Sequence, residues 1–213
     1  MVLEKNTMAG KLIVFEGVDG IGKSSLSREV TRRLTGSNVA FVSLAFPGND
    51  PGTLGSLIYQ VHHDPGSLGL STVSALGLQT LHVAAHLDAI ERKILPLLEA
   101  GTWIILDRYW WSTWVYGIER GINPAYLQPV IEAELARWGA VKPDLVFMVD
   151  RSEAVRAEHD AETFLRLRTG YKELAEQEKE HYKIVSIDNE NFEQSANAIW
   201  THLQSLLFNE NNL

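Results

Sequence analysis

Eight residues, Gly17-Val18-Asp19-Gly20-Ile21-Gly22-Lys23-Ser24, match G-x-x-x-x-G-K-[ST] at every fixed position. Glycines at 17, 20 and 22 let main-chain N–H groups turn inward around anionic oxygens, and a helix starting at Lys23 would aim the positive end of its dipole at them. Lys23 would then meet the β- and γ-phosphates of a nucleoside triphosphate, with Ser25 alongside, and Ser24 would offer its hydroxyl to Mg2+. That cation takes oxygen ligands and needs little protein beyond the nucleotide it accompanies. A Gly-rich turn without a ligand is the plainer alternative. It loses weight because an apolar run, Leu12–Glu16, precedes the motif and an amphipathic run follows it.

A second constellation, Asp107-Arg108-Tyr109-Trp110-Trp111-Ser112, ends a later apolar run, where open α/β sheets place ligand-binding groups. An arginine there can clamp a phosphate through two parallel N–H bonds, and the adjacent carboxylate can hold a metal-bound water or orient an acceptor. The bland alternative is an Asp-Arg pair that merely closes a strand. No Asn-Lys-x-Asp guanine-reading motif is present. Two phosphate sites side by side describe transfer from a triphosphate to a phosphate-bearing acceptor. Such an acceptor oxygen is already ionised, so positioning and charge neutralisation carry the rate. Asp19, Lys23, Asp107 and Arg108 are the candidate catalytic residues, and Ser24 and Asp107 the candidate metal-side residues.

Short apolar runs alternate with amphipathic stretches, the pattern of βαβ units. The expectation is an α/β, three-layer P-loop NTPase fold, with a five-stranded parallel sheet flanked by helices. Strands are expected at 12–16, 39–45, 103–107, 145–150 and 183–187, and helices at 23–35, 73–98 where Gly77 leaves room for a break, 124–138, 162–179 and 192–208. Residues 47–69, rich in Gly, Pro and Asp, read as a long irregular and therefore functional stretch. One kinase domain spans 1–213, with a flexible leader at 1–10 and a short lid at 151–162.

A chain of 213 residues builds one core more readily than two. Its net charge of -8 argues against a nucleic-acid polymer as partner. The absence of cysteine removes thiolate chemistry and fits a cytoplasmic location, and no apolar run is long enough to anchor the chain in a membrane.

Asp107-Arg108-Tyr109 followed by serine, after Ile104-Ile105-Leu106, resembles the signature of thymidylate kinases. Phe15-Glu16-Gly17-Val18-Asp19 resembles that family's first strand and phosphate loop. Ile94-x-Pro96-x-Leu98-x-x-Gly101, Pro143-Asp144-Leu145, Phe164-x-Arg166-x-Arg168-x-x-Tyr171 and Ile187-Asp188 follow in the family's order. The resemblance implies ATP as donor and a nucleoside monophosphate as acceptor, dTMP or a related pyrimidine deoxynucleotide. It places Asp19 on the acceptor's sugar 3′-hydroxyl, Arg108 on its phosphate, and Phe46, Tyr109, Ser112 and Tyr116 around it. It also implies a homodimer formed by packing helices.

Three departures stand out. The family's base-stacking phenylalanine and base-reading arginine fall at His82 and His86. These histidines read as base contacts, as a metal pair sharing a helix face, or as residues without a function. The family's catalytic arginine comes from the phosphate loop or from an Arg-rich lid, but the loop position is Gly20 and the lid lacks the motif. Arg156, Arg166 and Arg168 are the candidate substitutes. In the loop after the second strand, Asn49 or Asp50 stands where an arginine often touches the acceptor phosphate, and Asp50 is expected to turn away or to act through a cation. A deoxynucleoside kinase using Glu16 as base, and a non-catalytic nucleotide-binding protein, are the alternatives.

Overall fold

The computed structural model describes residues 10–210. Five strands, β1 (Leu12–Glu16), β2 (Phe41–Ala45), β3 (Trp103–Asp107), β4 (Leu145–Asp150) and β5 (Ile184–Asp188), pair in the order β2-β3-β1-β4-β5, all parallel. The central strands are nearly unbroken apolar runs because helices cover both faces of the sheet. Those helices are α1 (Lys23–Leu34), α2 (Leu54–His63), α3 (Ala75–Ala89), α4 (Leu95–Glu99), α5 (Trp110–Glu119), α6 (Pro124–Trp138), α7 (Ala161–Glu178) and α8 (Phe192–Glu210). The fold is the α/β, helix-flanked five-stranded parallel sheet expected.

Register decides where the site lies. Phe15 pairs with Asp107 and Glu16 with Met148, so the turn after β1 and the residues after β3 leave the sheet side by side. The chain passes from β1 to β2 on one side of the sheet and later crosses to β4 on the other. A crevice therefore opens at the carboxyl ends of β1 and β3.

Several boundaries differ from expectation. β2 starts at Phe41, and β5 runs to Asp188. The helix expected at 73–98 shows no break near Gly77; Ser74 Oγ caps it by accepting from the Gly77 N–H, and it continues through a wide turn at Ile90–Ile94 into α4. The stretch 47–69 is not irregular throughout. It contains α2, capped by Thr53 and seated through Ile58 and Val61, a short apolar stripe obscured by the surrounding Gly and Pro. α5 was not expected, because its tryptophans gave no clean helical period. Of the expected leader, residues 1–9 lie outside the described residues, whereas Gly10 is tied to Leu98 by a 2.8 Å main-chain bond. Residues 151–160 form a strap without helix or strand, ended by Asp160, which caps α7. Among the described residues no helix is long and apolar enough to cross a membrane.

Candidate active site

The turn from β1 to α1 passes through Gly17, Gly20 and Gly22, all at positive φ. Gly20 is the most constrained by its surroundings: φ is +79°, and a Cβ there would stand 2.1 Å from the carbonyl oxygen of Arg156. The strap lies directly on the loop, Val155 and Arg156 donating N–H bonds of 2.8 and 3.4 Å to the Gly20 carbonyl. From the other side Asn189 holds the loop, its side-chain amide donating to the Ile21 carbonyl at 2.7 Å.

Lys23 opens α1, is buried, and donates to the Val18 carbonyl at 2.6 Å. Burial pushes its pKa down to about 8, and nearby Arg108 adds to this against the pull of Asp107, Asp19 and Glu16. Ser24 Oγ donates to Asp107 Oδ2 at 2.6 Å, while Asp107 Oδ1 is buried with no hydrogen-bond partner. A hydroxyl beside a carboxylate with a spare oxygen is a hard, all-oxygen donor set, and it fits Mg2+. Ser25 sits exposed in the first turn of α1. Beside Ser24 and Asp107 opens a cleft of about 720 Å³, whose walls include Phe46, Asn49 and Asp50. Asp50 is turned to Lys93 at 3.3 Å, as expected of a carboxylate near an anion site.

Arg108 follows β3 at φ 77°, the one non-glycine residue at positive φ among the described residues. Its N–H donates to the Phe15 carbonyl at 2.9 Å, so the strained backbone is held by β1. The guanidinium pairs with Asp19 Oδ1, donates to Ser112 Oγ at 2.9 Å and Tyr171 OH at 3.3 Å, and lies 5.4 Å over the Tyr116 ring. Tyr116 OH donates to Asp19 Oδ2 at 2.5 Å. Burial favours the neutral form of Asp19, but Arg108 and then Lys23 outweigh it and hold the pKa down at about 2.

Glu16 lies wholly buried beneath, accepting from Tyr109 N–H at 2.7 Å, Ser112 N–H at 3.1 Å and Ser112 Oγ at 2.8 Å. Burial raises its pKa to about 7 despite those bonds and the Arg108 charge. Ser112 thus fixes Arg108 and Glu16 instead of facing a ligand. Tyr109, expected among the acceptor contacts, points into the core instead. Its ring packs 5.4 Å from Trp138 and 6.1 Å from Tyr182, because a large aromatic face gains more there than in a polar crevice.

Phe46 stacks on His86, ring centroids 4.1 Å apart and planes 11° apart, and both are buried. His86 Nδ1 lies 2.8 Å from Oε2 of the buried Glu134. His82, one turn earlier, meets His62 edge-on at 5.2 Å. Burial above all, with the Arg120 and Arg108 charges adding to it, lowers the pKa of His82 to about 3 and of His62 to about 4, so both rings are neutral near pH 7. Among the described residues no three His, Cys, Asp or Glu side chains are placed to hold a metal ion.

The three candidate substitute arginines are each engaged with carboxylates. Arg156 pairs with Glu158 and its side chain is 82% exposed; Arg166 pairs with Glu119 and Glu162; Arg168 forms a two-pronged pair with Asp150 at 2.6 and 2.8 Å. The strap side chain that does face the P-loop is His159, 3.9 Å from Asp19. His159, Glu134 and Asn189 had no motif to flag them, since each acts through a partner far away in sequence; Tyr171 closes the segment Phe164-x-Arg166-x-Arg168-x-x-Tyr171, but that pattern did not signal its contact with Arg108.

The family model described as thymidylate kinase matches residues 15–199. The chain is 32% identical over 186 residues to the thymidylate kinase of Symbiobacterium thermophilum, covering 81% of this chain and 83% of that protein. It is 31% identical over 213 residues to a probable thymidylate kinase of Thermococcus kodakarensis, covering 93% of this chain and 99% of that protein. Its fold resembles the crystal structure of thymidylate kinase from Ehrlichia chaffeensis with a TM-score of 0.74 at 20% identity, covering 92% of this chain and 99% of that one. A phosphate loop facing Arg108 across a crevice, in a chain matched by that family from Phe15 to Ile199, leads to one conclusion: this chain belongs to the thymidylate kinase family.

Proposed function

We propose that the protein transfers the γ-phosphoryl group of ATP to dTMP, giving ADP and dTDP. The observation that carries this reading is the contact between Arg108, at the end of β3, and Asp19, inside the phosphate loop. It sets an arginine fork within a side chain's length of the place where a triphosphate would end.

In this reading the loop amides and Lys23 hold the β- and γ-phosphates. Arg108 turns from Asp19 to the acceptor phosphate, which presents an oxygen in line with the γ-phosphorus. Asp19 and Tyr116 edge the acceptor's sugar, and Phe46 and His82 face its base, with the buried His86 stacked behind Phe46. Ser24 and Asp107 would hold Mg2+, which, when bound with ATP, neutralises charge on the β- and γ-oxygens. The acceptor oxygen is ionised near pH 7, so no general base is required. Glu16 is fully buried beneath the crevice and already accepts from Tyr109 N–H, Ser112 N–H and Ser112 Oγ; this disfavours the nucleoside-kinase alternative, which needs a base facing the acceptor. We also take the protein to act in the cytoplasm as a homodimer; exposed Leu57 on α2 and Tyr126 on α6 offer apolar surface for helix packing.

The test is a panel of nucleosides and nucleoside monophosphates with ATP and Mg2+, scored for phosphorylated product by anion-exchange chromatography. Conversion of dTMP to dTDP is expected. Phosphorylation of nucleosides but not monophosphates, or ATP binding without transfer to any acceptor, overturns the reading.

A further inference from the structure

His159 is a strap residue whose ring turns in toward the P-loop. Its Nε2 is buried, has no hydrogen-bond partner, and lies 3.9 Å from Asp19 Oδ2. The ring centroid is 5.9 Å from that of Tyr116. The segment is held on both sides of this residue. Val155 and Arg156 bond to the Gly20 carbonyl before it, and Asp160 accepts from Thr163 N–H at 2.9 Å after it. A polar atom placed this firmly and left unpaired is unusual in a folded protein, where buried polar groups find partners.

A separation of 3.9 Å is too long for a direct hydrogen bond, yet one oxygen can bond both atoms at ordinary lengths once the strap opens far enough to admit it, since Nε2 is closed to solvent without a ligand. The two flanking groups say what that oxygen is. A carboxylate held down near pKa 2 only accepts, so the bridging oxygen must carry a hydrogen for it. An imidazole N–H donates, so the same oxygen must also accept. A hydroxyl does both, whereas a phosphate oxygen would carry its charge against that of Asp19. Arg108, the acceptor-phosphate clamp of the reading above, holds the other oxygen of Asp19, which puts the hydroxyl on the acceptor. A 2′-deoxynucleoside 5′-monophosphate has one free sugar hydroxyl, at the 3′ position.

We propose that His159 is a specificity-determining residue which, with Asp19, brackets the 3′-hydroxyl of the acceptor nucleotide. This rests on the phosphotransfer reading of the same site. It gives the short strap a task other than supplying an arginine. Because the bound hydroxyl satisfies a nitrogen that is otherwise unpaired, acceptor binding and strap docking favour one another.

The experiment compares kcat/KM for dTMP with that for its 3′-deoxy analogue, 2′,3′-dideoxythymidine monophosphate, in the wild type, H159A and H159Q. A preference for dTMP is expected in the wild type. It falls about tenfold in H159A, the order of one lost hydrogen bond, and is largely kept in H159Q, which retains an N–H donor. If H159A is too unstable to assay, H159F fills the volume without a ring nitrogen and loses the same preference. An unchanged preference in H159A or H159F, or an equal loss on both acceptors, overturns the proposal. A wild-type protein that binds ATP but phosphorylates no monophosphate is a different result: it removes the parent reading, and this proposal with it.

Discussion

Arg108 and Asp19 hold each other across the crevice, the guanidinium coming from the end of β3 and the carboxylate from the phosphate loop. Without ligand each neutralises the other, so the site does not bury an unpaired charge. When a dianionic acceptor enters, the guanidinium has a stronger partner, and Asp19 keeps its bond from Tyr116.

Arg108→Ala is therefore predicted to weaken acceptor binding by about 2 kcal/mol or more, the scale of charge-assisted hydrogen bonds, while changing ATP affinity far less. Arg108→Lys restores the charge but not the fork, and should recover only part of the loss. Calorimetric titration with each nucleotide separately is the measurement. Equal weakening of both ligands would mean that the residue serves the loop instead of the acceptor.

Lys23 gives a pH signature. In the unfolded chain it titrates near its ordinary value of 10.5, and in the fold burial brings it to about 8. Between those values the unfolded chain holds more protons, so the contribution of Lys23 to stability rises with pH across that window. Below about pH 8 the full cost of burying the charge is present. ATP reverses the preference by supplying phosphate oxygens to the ammonium. Binding of ATP at pH 8.5 to 9 should thus take up protons, roughly half a proton or more per site, measurable as the dependence of binding heat on buffer ionisation. Heat independent of the buffer would show that Lys23 is already fully charged.

Glu16 predicts the opposite slope. Its pKa rises from an ordinary 4.5 to about 7 through burial, so the folded state holds the proton more tightly. Stability from this group is greatest below pH 4.5 and declines as pH rises through about 7. Taken alone, the shift is worth about 3 kcal/mol. Glu16→Gln removes this dependence, so the difference in unfolding free energy between mutant and wild type should move in the mutant's favour from pH 5 to pH 8. A difference that stays constant with pH counts against a protonated Glu16.

The phosphate loop and Asp107-Arg108 were legible because their function depends on residue types at fixed short spacings, and the core strands because parallel strands buried on both faces must be apolar throughout. α2 was hidden because ten residues whose buried apolar stripe is only Ile58 and Val61 sit between Gly- and Pro-rich turns. α5 was hidden because Trp110 and Trp111 are both buried, against Tyr109 and Tyr182, which leaves no polar face to mark a period. Tyr109 was misread because adjacency to Arg108 in sequence says nothing about which side of the backbone a ring takes. His159 and Glu134 could not be found from local pattern at all: their partners, Asp19 and His86, lie far off in the chain.

The buried pair of His86 and Glu134 should be strongly coupled. Glu134 is fully buried, and besides His86 it meets Trp138 Nε1 at 3.4 Å. Removing either partner strands the other among apolar groups, a cost of about 3–5 kcal/mol, whereas Glu134→Gln keeps an acceptor for the ring and should cost less. A double-mutant cycle of His86→Ala and Glu134→Ala, followed by urea unfolding, is expected to give a coupling energy of at least about 1 kcal/mol. Additive losses would show that the ring is held by its stack on Phe46 alone.

Gly20 carries the last prediction, because it is the phosphate-loop position at which the resemblance to the family raises the expectation of an arginine. Restoring one here is expected to harm the protein. Any Cβ at residue 20 would stand 2.1 Å from the Arg156 carbonyl oxygen and 3.3 Å from Ala154 Cβ, and φ is +79°. Gly20→Ala therefore combines backbone strain of about 1–3 kcal/mol with displacement of the strap. Once the strap lifts, the Val155 and Arg156 bonds to the loop are lost, and His159 moves away from Asp19. Both Gly20→Ala and Gly20→Arg should show faster proteolytic cleavage within residues 151–160 and a raised KM for the acceptor, with the larger effect in the arginine variant. Cleavage rates equal to the wild type would mean that the strap rests on the loop without depending on it.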